Sequence, residues 1–220
     1  MSDIGMKIFG MRPAEKMTEQ MAARMGKAIT MSVGPEAQLL RRVMVEGLRN
    51  QSPGGKRILP LKPMTIAMRK LPRKSSKTGK GRRGSTKALI DNGDLIGSIN
   101  AKQEQPGWWT VGVHRSARSK SGTSMVNIAL IHEKGTRAFT ITVTPKMHRF
   151  SIFLMIQGVL HAPWPVGKKL NMKIPARPFL EPAYKEWEQD SEKRMNLRVA
   201  KSLGLHGEYL AEIAEGGGLF

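Results

Sequence analysis

The chain has 220 residues, no cysteine, and 37 Lys and Arg against 17 Asp and Glu, a formal net charge of +20. The absence of cysteine excludes a disulfide framework and a thiolate metal site, and no apolar run approaches the roughly 20 residues that span a bilayer. We therefore expect no membrane partner. The excess positive charge predicts a polyanion or an acidic protein surface as a partner.

Two helices are predicted in the first fifty residues, over 14–29 and over 35–49. Proline is favoured in the first turn of a helix and disfavoured in the interior, so Pro35 is interpreted as the start of the second one. Glu36 would then lie near the positive end of that helix. We treat residues 1–60 as an N-terminal helical extension.

A basic loop follows the next predicted helix, which covers most of 61–70 (LKPMTIAMRK). Residues 47–90 contain thirteen Lys or Arg and no Asp or Glu, and 73–87 consists only of Lys, Arg, Ser, Thr and Gly. Such a loop cannot bury enough apolar surface to offset its ordering entropy, so we predict that it orders only against a partner. That partner is either nucleic acid, bound through its phosphates, or an acidic protein neighbour. The candidate contacting residues are Arg69, Lys70, Arg73, Lys74, Lys77, Lys80, Arg82, Arg83 and Lys87.

The middle of the chain predicts an antiparallel sheet. Residues 89–99 (LIDNGDLIGSI) indicate a turn and a short helix that leads into a strand. Residues 108–113 and 139–144 indicate strands, the second from its clean two-residue alternation. Residues 125–131 fit either a strand or a helix, and the apolar residues 147–160 do not decide between the two.

The end of the chain predicts one terminal helix that begins at Pro182, followed by a loose tail over 204–220. The region 181–220 contains five basic and eight acidic residues, in contrast to the basic middle. A basic middle and an acidic end suit head-to-tail packing between copies of the same chain, and they equally suit contact with different partners at opposite ends.

Two segments imitate catalytic motifs and fail on inspection. Residues 79–86 (GKGRRGST) lack the Lys that a phosphate-binding loop needs between its last Gly and the Ser or Thr. Residues 132–136 (HEKGT) begin like a zinc-protease helix, but Thr136 takes the place of the second His. Asp91 and Asp94 fit a turn and a helix N-cap better than a catalytic carboxylate pair. We therefore expect no enzyme, no metal and no cofactor.

Four separated segments together resemble a family of bacteriophage proteins. They are 61–70, 89–99, 131–136 (IHEKGT) and 174–183 (IPARPFLEPA). In this order and at these separations they are similar to the virion morphogenesis and tail-completion proteins, which include the Mu-type and lambdoid neck proteins. The resemblance covers 61–203.

The resemblance implies a structural protein of the virion with no catalytic role. The resemblance also implies a ring of six or twelve copies at the neck or tail end, in contact with other neck, connector and tail proteins. Localisation would be the virion, after assembly in the host cytoplasm, and packaged DNA is a further candidate contact. The motif residues with a structural role would be Asp91, Gly93, Leu95, His132, Glu133, Gly135, Pro175, Arg177, Pro178 and Phe179. The expected core residues are Leu89, Leu95, Ile99, Phe179 and Leu180.

The sequence as a whole predicts an α+β fold, with an antiparallel sheet packed by helices. The predicted domains are the extension over 1–60, a tail-completion-like domain over 61–203 with its basic loop, and the tail over 204–220. The predicted function is a virion protein that completes the tail and joins it to the head. The alternative is a protein that binds nucleic acid without sequence specificity. The Met-rich N-terminal segment and the acidic C-terminal region are the expected contacts between copies.

Overall fold

The computed structural model describes residues 11–70, 85–119 and 122–205, with side chains from residue 15 onward. Most of the predicted basic loop and nearly all of the predicted tail therefore lie outside the described residues. The elements in chain order are α1 (Met11–Asn50), a 3-10 turn (Pro53–Gly55), α2 (Pro63–Lys70), α3 (Asp94–Ser98), β1 (Ile99–Gln105), β2 (Trp108–Val113), α4 (Met125–Lys134), β3 (Phe139–Thr142), α5 (Pro145–Ile156), β4 (Lys169–Met172), α6 (Leu180–Glu188) and α7 (Ser191–Ser202).

The α+β class is confirmed, but the strands of the described ranges form two small sheets in place of one. In one sheet β1 pairs with β2, and the two residues Pro106 and Gly107 between them allow only an antiparallel hairpin. In the other, β3 pairs antiparallel with β4, and Phe139 lies opposite Met172. Local alternation predicts strands one at a time, whereas it carries little information about which strands pair.

The described residues form two compact units. The first comprises the described parts of Met1–Leu39, Lys102–Thr110 and Glu188–Phe220. The second comprises the described parts of Leu40–Ala101 and Val111–Trp187. Helix α1 supplies residues to both units.

The prediction of two N-terminal helices was wrong, because α1 is a single helix of 40 residues with Pro35 in its interior. A proline at an interior position removes one backbone hydrogen bond and costs about 3 kcal/mol. Tertiary contacts next to the proline oppose that cost. Ala28, Ser32 and Ala37 are buried on this stretch, and Glu36 is buried beside the proline.

Glu36 is the centre of an ion cluster in the first unit, and it does not lie at a helix start as predicted. Its side chain is only 2% exposed. Both Nε and Nη2 of Arg194 donate to its carboxylate, at 3.1–3.2 Å, and Arg198 donates through Nη1. Removing one partner from a buried ion pair typically costs about 3–5 kcal/mol, so this cluster fixes α7 on α1.

The second unit contains the main hydrophobic core. Helix α1 contributes Leu40, Met44, Val45 and Leu48 to it, and the chain after α1 contributes Ile58. The predicted core residues Leu89, Leu95, Ile99 and Phe179 are buried, and Leu180 packs against them while partly exposed. The remaining members are Ala88, Met125, Ala129 and Ala183.

Four other helices resolve or correct the sequence predictions. The ambiguous residues 125–131 lie in helix α4, and the ambiguous residues 147–160 lie mostly in helix α5, which Pro145 begins and the Thr144 hydroxyl caps. The single terminal helix predicted from Pro182 is instead α6 followed by α7. Among the described helices, none is long and apolar enough to cross a membrane.

Replacing Phe179 by Ala should lower the free energy of unfolding by about 3–5 kcal/mol, because its fully buried ring would leave a cavity in the core. Urea denaturation followed by circular dichroism measures the change. Phe150→Ala is the matched control, since that ring is 45% exposed, and in the monomer it should cost clearly less than Phe179→Ala because it leaves no cavity in the core. Equal losses in the two variants would contradict the assignment of Phe179 to the core.

Candidate functional site

Two of the sequence motifs, 131–136 and 174–183, are joined in the structure by six hydrogen bonds. Glu133 at the end of α4 makes three of them: its carboxylate accepts from the backbone N–H groups of Phe179, Leu180 and Glu181, at 2.9, 3.1 and 3.0 Å. These are N–H groups at the start of α6, which have no partner within their own helix. A carboxylate at a helix N-terminus also interacts favourably with the helix dipole. Glu133 therefore caps α6 from another helix.

The other three hydrogen bonds join the residues around this cap. The N–H of Arg177 donates to the carbonyl of His132 at 2.6 Å, and the N–H of Thr136 donates to the carbonyl of Ile174 at 2.9 Å. The N–H of Ile174 donates in return to the hydroxyl of Thr136 at 3.0 Å. The backbone between the two motifs is thus paired as in a short ladder.

Gly135 has a geometric reason to be glycine. It ends α4 with φ of 72°, where a side chain is strained. A Cβ there would lie 2.8 Å from the Ala176 nitrogen and 3.0 Å from the Ile174 oxygen. The close approach of the two motifs depends on this glycine.

Arg177 is a buried structural residue. It is 7% exposed, and its guanidinium donates to the carbonyls of Leu59 and Pro60 at 2.9 and 3.2 Å. These carbonyls lie in the irregular stretch between the 3-10 turn and α2, where no helix or strand would satisfy them. The guanidinium therefore connects the 174–183 motif to the entry of the 61–70 motif.

Arg69, near the end of α2, holds the last residues of the predicted basic loop. Its Nη1 donates to the carbonyls of Ser85 and Lys87 at 3.0 and 2.9 Å, and its Nε lies 3.5 Å from the Asp91 carboxylate. Lys87 donates through Nζ to the carbonyl of Arg49 at 2.7 Å. Two candidate contacting residues, Arg69 and Lys87, therefore have partners inside the unit. Lys70 is exposed, and the other six candidates, Arg73, Lys74, Lys77, Lys80, Arg82 and Arg83, lie outside the described residues.

The predicted capping role of Asp91 and Asp94 was wrong for helix α3. The N-cap residue is Gly93, with φ of 83°, and no side chain caps the helix. Asp91 pairs with Arg69 instead, and Asp94 is in the first turn of α3. Gly93 thus has the turn conformation that the sequence predicted, while the carboxylate belongs to the base of the basic loop.

A polar cleft of about 240 Å³ lies at the base of the basic loop in the second unit. Arg69, Asp91, Asp94 and His132 contribute charged or titratable groups to its lining. The volume is below the range of about 300–1,000 Å³ typical of small-molecule sites. Its other lining residues are Leu89, Asn92, Leu95, Ser119, Thr123, Met125 and Ile128.

His132 is the perturbed group of this cleft. Its buried Nδ1 makes no hydrogen bond with any described residue. Burial lowers the pKa of His132 below 6.5, and the positive charges of Arg177 and Arg69 lower this pKa further. The imidazole is therefore neutral in the folded protein at neutral pH.

Some important residues were missed by the sequence-based prediction. Gln51 was assigned no role, yet its amide oxygen accepts from the N–H of Ala88 at 2.7 Å and its amide nitrogen donates to the Ala88 carbonyl at 3.0 Å. No local pattern signals that pairing across 37 residues. The cluster at Glu36 had one signal, the spacing of four residues between Arg194 and Arg198, which places both on one helix face.

Comparison with known proteins gave no match to a family model, to a curated protein or to a solved structure. Among the residues that the structure describes, no group of three or more His, Cys, Asp or Glu could hold a metal ion. The candidate site therefore consists of the hydrogen-bonded motifs 131–136 and 174–183, the polar cleft, and the last residues of the basic loop where Arg69 binds them.

Replacing Glu133 by Ala should destabilise the second unit by about 2–3 kcal/mol, because three N–H groups lose a charged acceptor. Glu133→Gln should cost less, since one amide oxygen can still accept. Urea denaturation provides the measurement. The neighbouring exposed position supplies a control, Lys134→Ala, which should be nearly neutral. An alanine variant at 133 as stable as the wild type would show that water replaces the cap without cost.

Acidification should destabilise the protein through His132. The unfolded chain takes up this proton at its ordinary pKa of 6.5, whereas the folded protein takes it up only at lower pH. This contribution to the free energy of unfolding is therefore complete above 6.5 and is lost as the pH falls from 6.5 through the folded pKa. Denaturation between pH 5 and 8 should show a steeper acid-side loss in the wild type than in His132→Asn.

A matched variant tests the assignment of that loss. His161→Asn removes an exposed histidine and should retain the wild-type pH profile. Identical profiles for the wild type and His132→Asn would exclude His132 as the source of the acid sensitivity.

Proposed function

We propose that this chain is a structural protein of a tailed bacteriophage virion, which forms a ring at the neck or tail end and joins the completed tail to the head. The observation that carries the proposal is the relation among the separated motifs that resemble the tail-completion proteins. The 131–136 and 174–183 segments form one joint through Glu133, and Arg177 connects that joint to Leu59 and Pro60, immediately before the 61–70 segment. These contacts support the proposal because they give the motif residues a shared structural role in this chain.

The charge distribution supports a working state within an assembly. A six-copy ring would carry a formal charge of +120, from 6 × 20, so assembly requires acidic neighbours, DNA or salt to offset self-repulsion. Helix α1 also exposes Met17 and Met21 in the Met-rich segment that the sequence nominated as a contact between copies. Native mass spectrometry of the full chain tests the ring, and a monomer both in solution and in isolated necks would contradict it.

A second candidate function is nucleic-acid binding without sequence specificity, and the observation that favours it is the basic segment over 47–90. Two of its thirteen cations, Arg69 and Lys87, have partners inside the second unit, and the segment contains no carboxylate that would oppose binding of phosphates by the others at low salt. If this candidate is right, affinity for duplex DNA should fall with salt with a logarithmic slope near 0.9 per phosphate contacted. The monomer would then show that affinity without forming a discrete oligomer.

The basic segment should be needed for joining heads to tails. We expect the quadruple variant Lys77→Ser, Lys80→Ser, Arg82→Ser and Arg83→Ser to fail when added to an extract of heads and tails that lacks this chain. The reason is that the four charges supply the attraction to a partner, and their loss removes it without affecting the core. Infectious particles formed in the extract are the readout.

A control variant should remove the same charge elsewhere. Replacing the exposed Lys102, Arg115, Arg118 and Lys134 by Ser lowers the net charge equally and should still permit joining. Normal particle yield from the first quadruple variant would mean that the segment is dispensable. Loss of joining with unchanged DNA affinity would identify a protein partner.

A further inference from the structure

Helix α5 exposes a face that combines cations with large apolar side chains. Lys146, Phe150 and Phe153 follow at spacings of four and three residues, and so do Arg149, Phe153 and Ile156, so the two overlapping rows form one side of the helix. Phe150 and Phe153 are each 45% exposed and Ile156 is 71% exposed, whereas Ser151 and Leu154 on the other side are fully buried. The rings of Phe150 and Phe153 lie 6.4 Å apart in a stacked arrangement.

The surroundings of this face in the sequence carry only positive charge. Residues 134–180 contain eight Lys or Arg and no Asp or Glu. Arg177 is buried, while the other seven are exposed, and none of the seven forms an ion pair with another described residue. These seven residues are Lys134, Arg137, Lys146, Arg149, Lys168, Lys169 and Lys173.

Helix α6 exposes a face that carries two carboxylates and one aromatic ring. Glu181, Tyr184 and Glu188 follow at spacings of three and four residues, and all three are exposed, with Tyr184 at 43%. Glu181 also pairs with Lys185 at 2.7 Å, one turn further along. The acidic character continues past the helix, since residues 181–192 contain five acidic residues and one basic residue.

We propose that the exposed face of α5 docks against the exposed face of α6 in a neighbouring copy of this chain. Cations then meet carboxylates, and Phe150, Phe153 and Ile156 have the aromatic ring of Tyr184 opposite them. This inference rests on the proposed function, because it names the contact between neighbours in the ring.

The charges decide the kind of contact. Two α5 faces would repel each other, so a symmetric dimer through α5 is disfavoured. A contact between two different surfaces of one chain is head-to-tail, and such a contact closes into a ring when the rotation permits. Duplex DNA fits the cations but leaves the apolar side chains of α5 without a partner, because its outer surface consists of charged phosphates. The α6 face of a second copy offers carboxylates to the cations of α5 and an aromatic ring to its apolar side chains.

The test exchanges the charges of the two faces. One full-length variant carries Lys146→Glu and Arg149→Glu, and the other carries Glu181→Lys and Glu188→Lys. Each variant alone should lose the wild-type oligomer, because both of its faces then have the same sign. An equimolar mixture should regain the oligomer, since every contact between unlike variants is again complementary. Native mass spectrometry and light scattering at fixed ionic strength measure the masses.

Further measurements separate the possible failures. A single chain with all four reversals should assemble alone, and Phe153→Ser within that chain should abolish the assembly. If the wild type forms rings and the mixture does not regain them, this interface is wrong while the proposed function stands. If the wild type is a monomer in solution and in necks, the ring itself is wrong.

Two controls keep the outcome decisive. Melting curves show whether each variant folds. A charge-reversal variant that does not fold is replaced by the variant with glutamine at the same positions, which should weaken the oligomer. An unchanged oligomer in that glutamine variant would overturn the interface. Duplex DNA binding is measured in parallel. Loss of DNA affinity in the α5 variant with the oligomer intact would assign the α5 face to nucleic acid and overturn the docking proposal.

Discussion

The fold of the second unit depends on the contact between the Glu133 carboxylate and the first N–H groups of α6. This contact fixes where α6 begins, and the residues beside it enter the core from there: Phe179 just before the helix and Ala183 within it. The remaining contacts of the joint follow from the same geometry, since Gly135 permits the approach and Arg177 secures the neighbouring loop. One carboxylate therefore holds the start of α6 against the end of α4.

The same contact explains why the 131–136 segment looks catalytic without the other residues of a protease motif. His132 and Glu133 are adjacent, yet their side chains serve different purposes. Glu133 accepts backbone hydrogen bonds at α6, while His132 lines the polar cleft as a neutral ring. A short motif defines residue types, and only the surrounding structure shows which partner each side chain finds.

Local patterns in the sequence predicted what depends on neighbours along the chain. Strand β2, helix α2, the turn and helix before β1, and the core residues Leu89 and Phe179 all follow from periodicity and apolar character. The continuity of α1 through Pro35 could not be predicted this way, because the residues that secure it, Arg194 and Arg198, lie far away in the sequence. The pairing of Gln51 with Ala88 was missed for the same reason.

The sequence likewise predicted only those properties of the candidate site that depend on local composition. Composition identified the basic segment and its charge. It could not show that Arg69 binds the Ser85 carbonyl within that segment, or that Asp91 pairs with Arg69. Charge separation between the middle and the end of the chain was visible in the sequence. The helix faces that carry those charges, and the exposed rings beside them on α5, required the three-dimensional structure because two residues of the same helix can face core or solvent.

The Arg177 contact has a consequence for how the protein is made. Its guanidinium donates to carbonyl groups 117 and 118 residues earlier in the chain. Glu133 accepts from N–H groups 46 to 48 residues later, which are synthesised after it. The core that begins at Leu40 is therefore incomplete until Phe179 and Ala183 have left the ribosome. Contacts this distant in sequence slow folding and leave apolar surface uncovered during synthesis. Nascent chains that stop before residue 179 would consequently be prone to aggregate, and the second unit would finish folding only after Ala183 has left the ribosome.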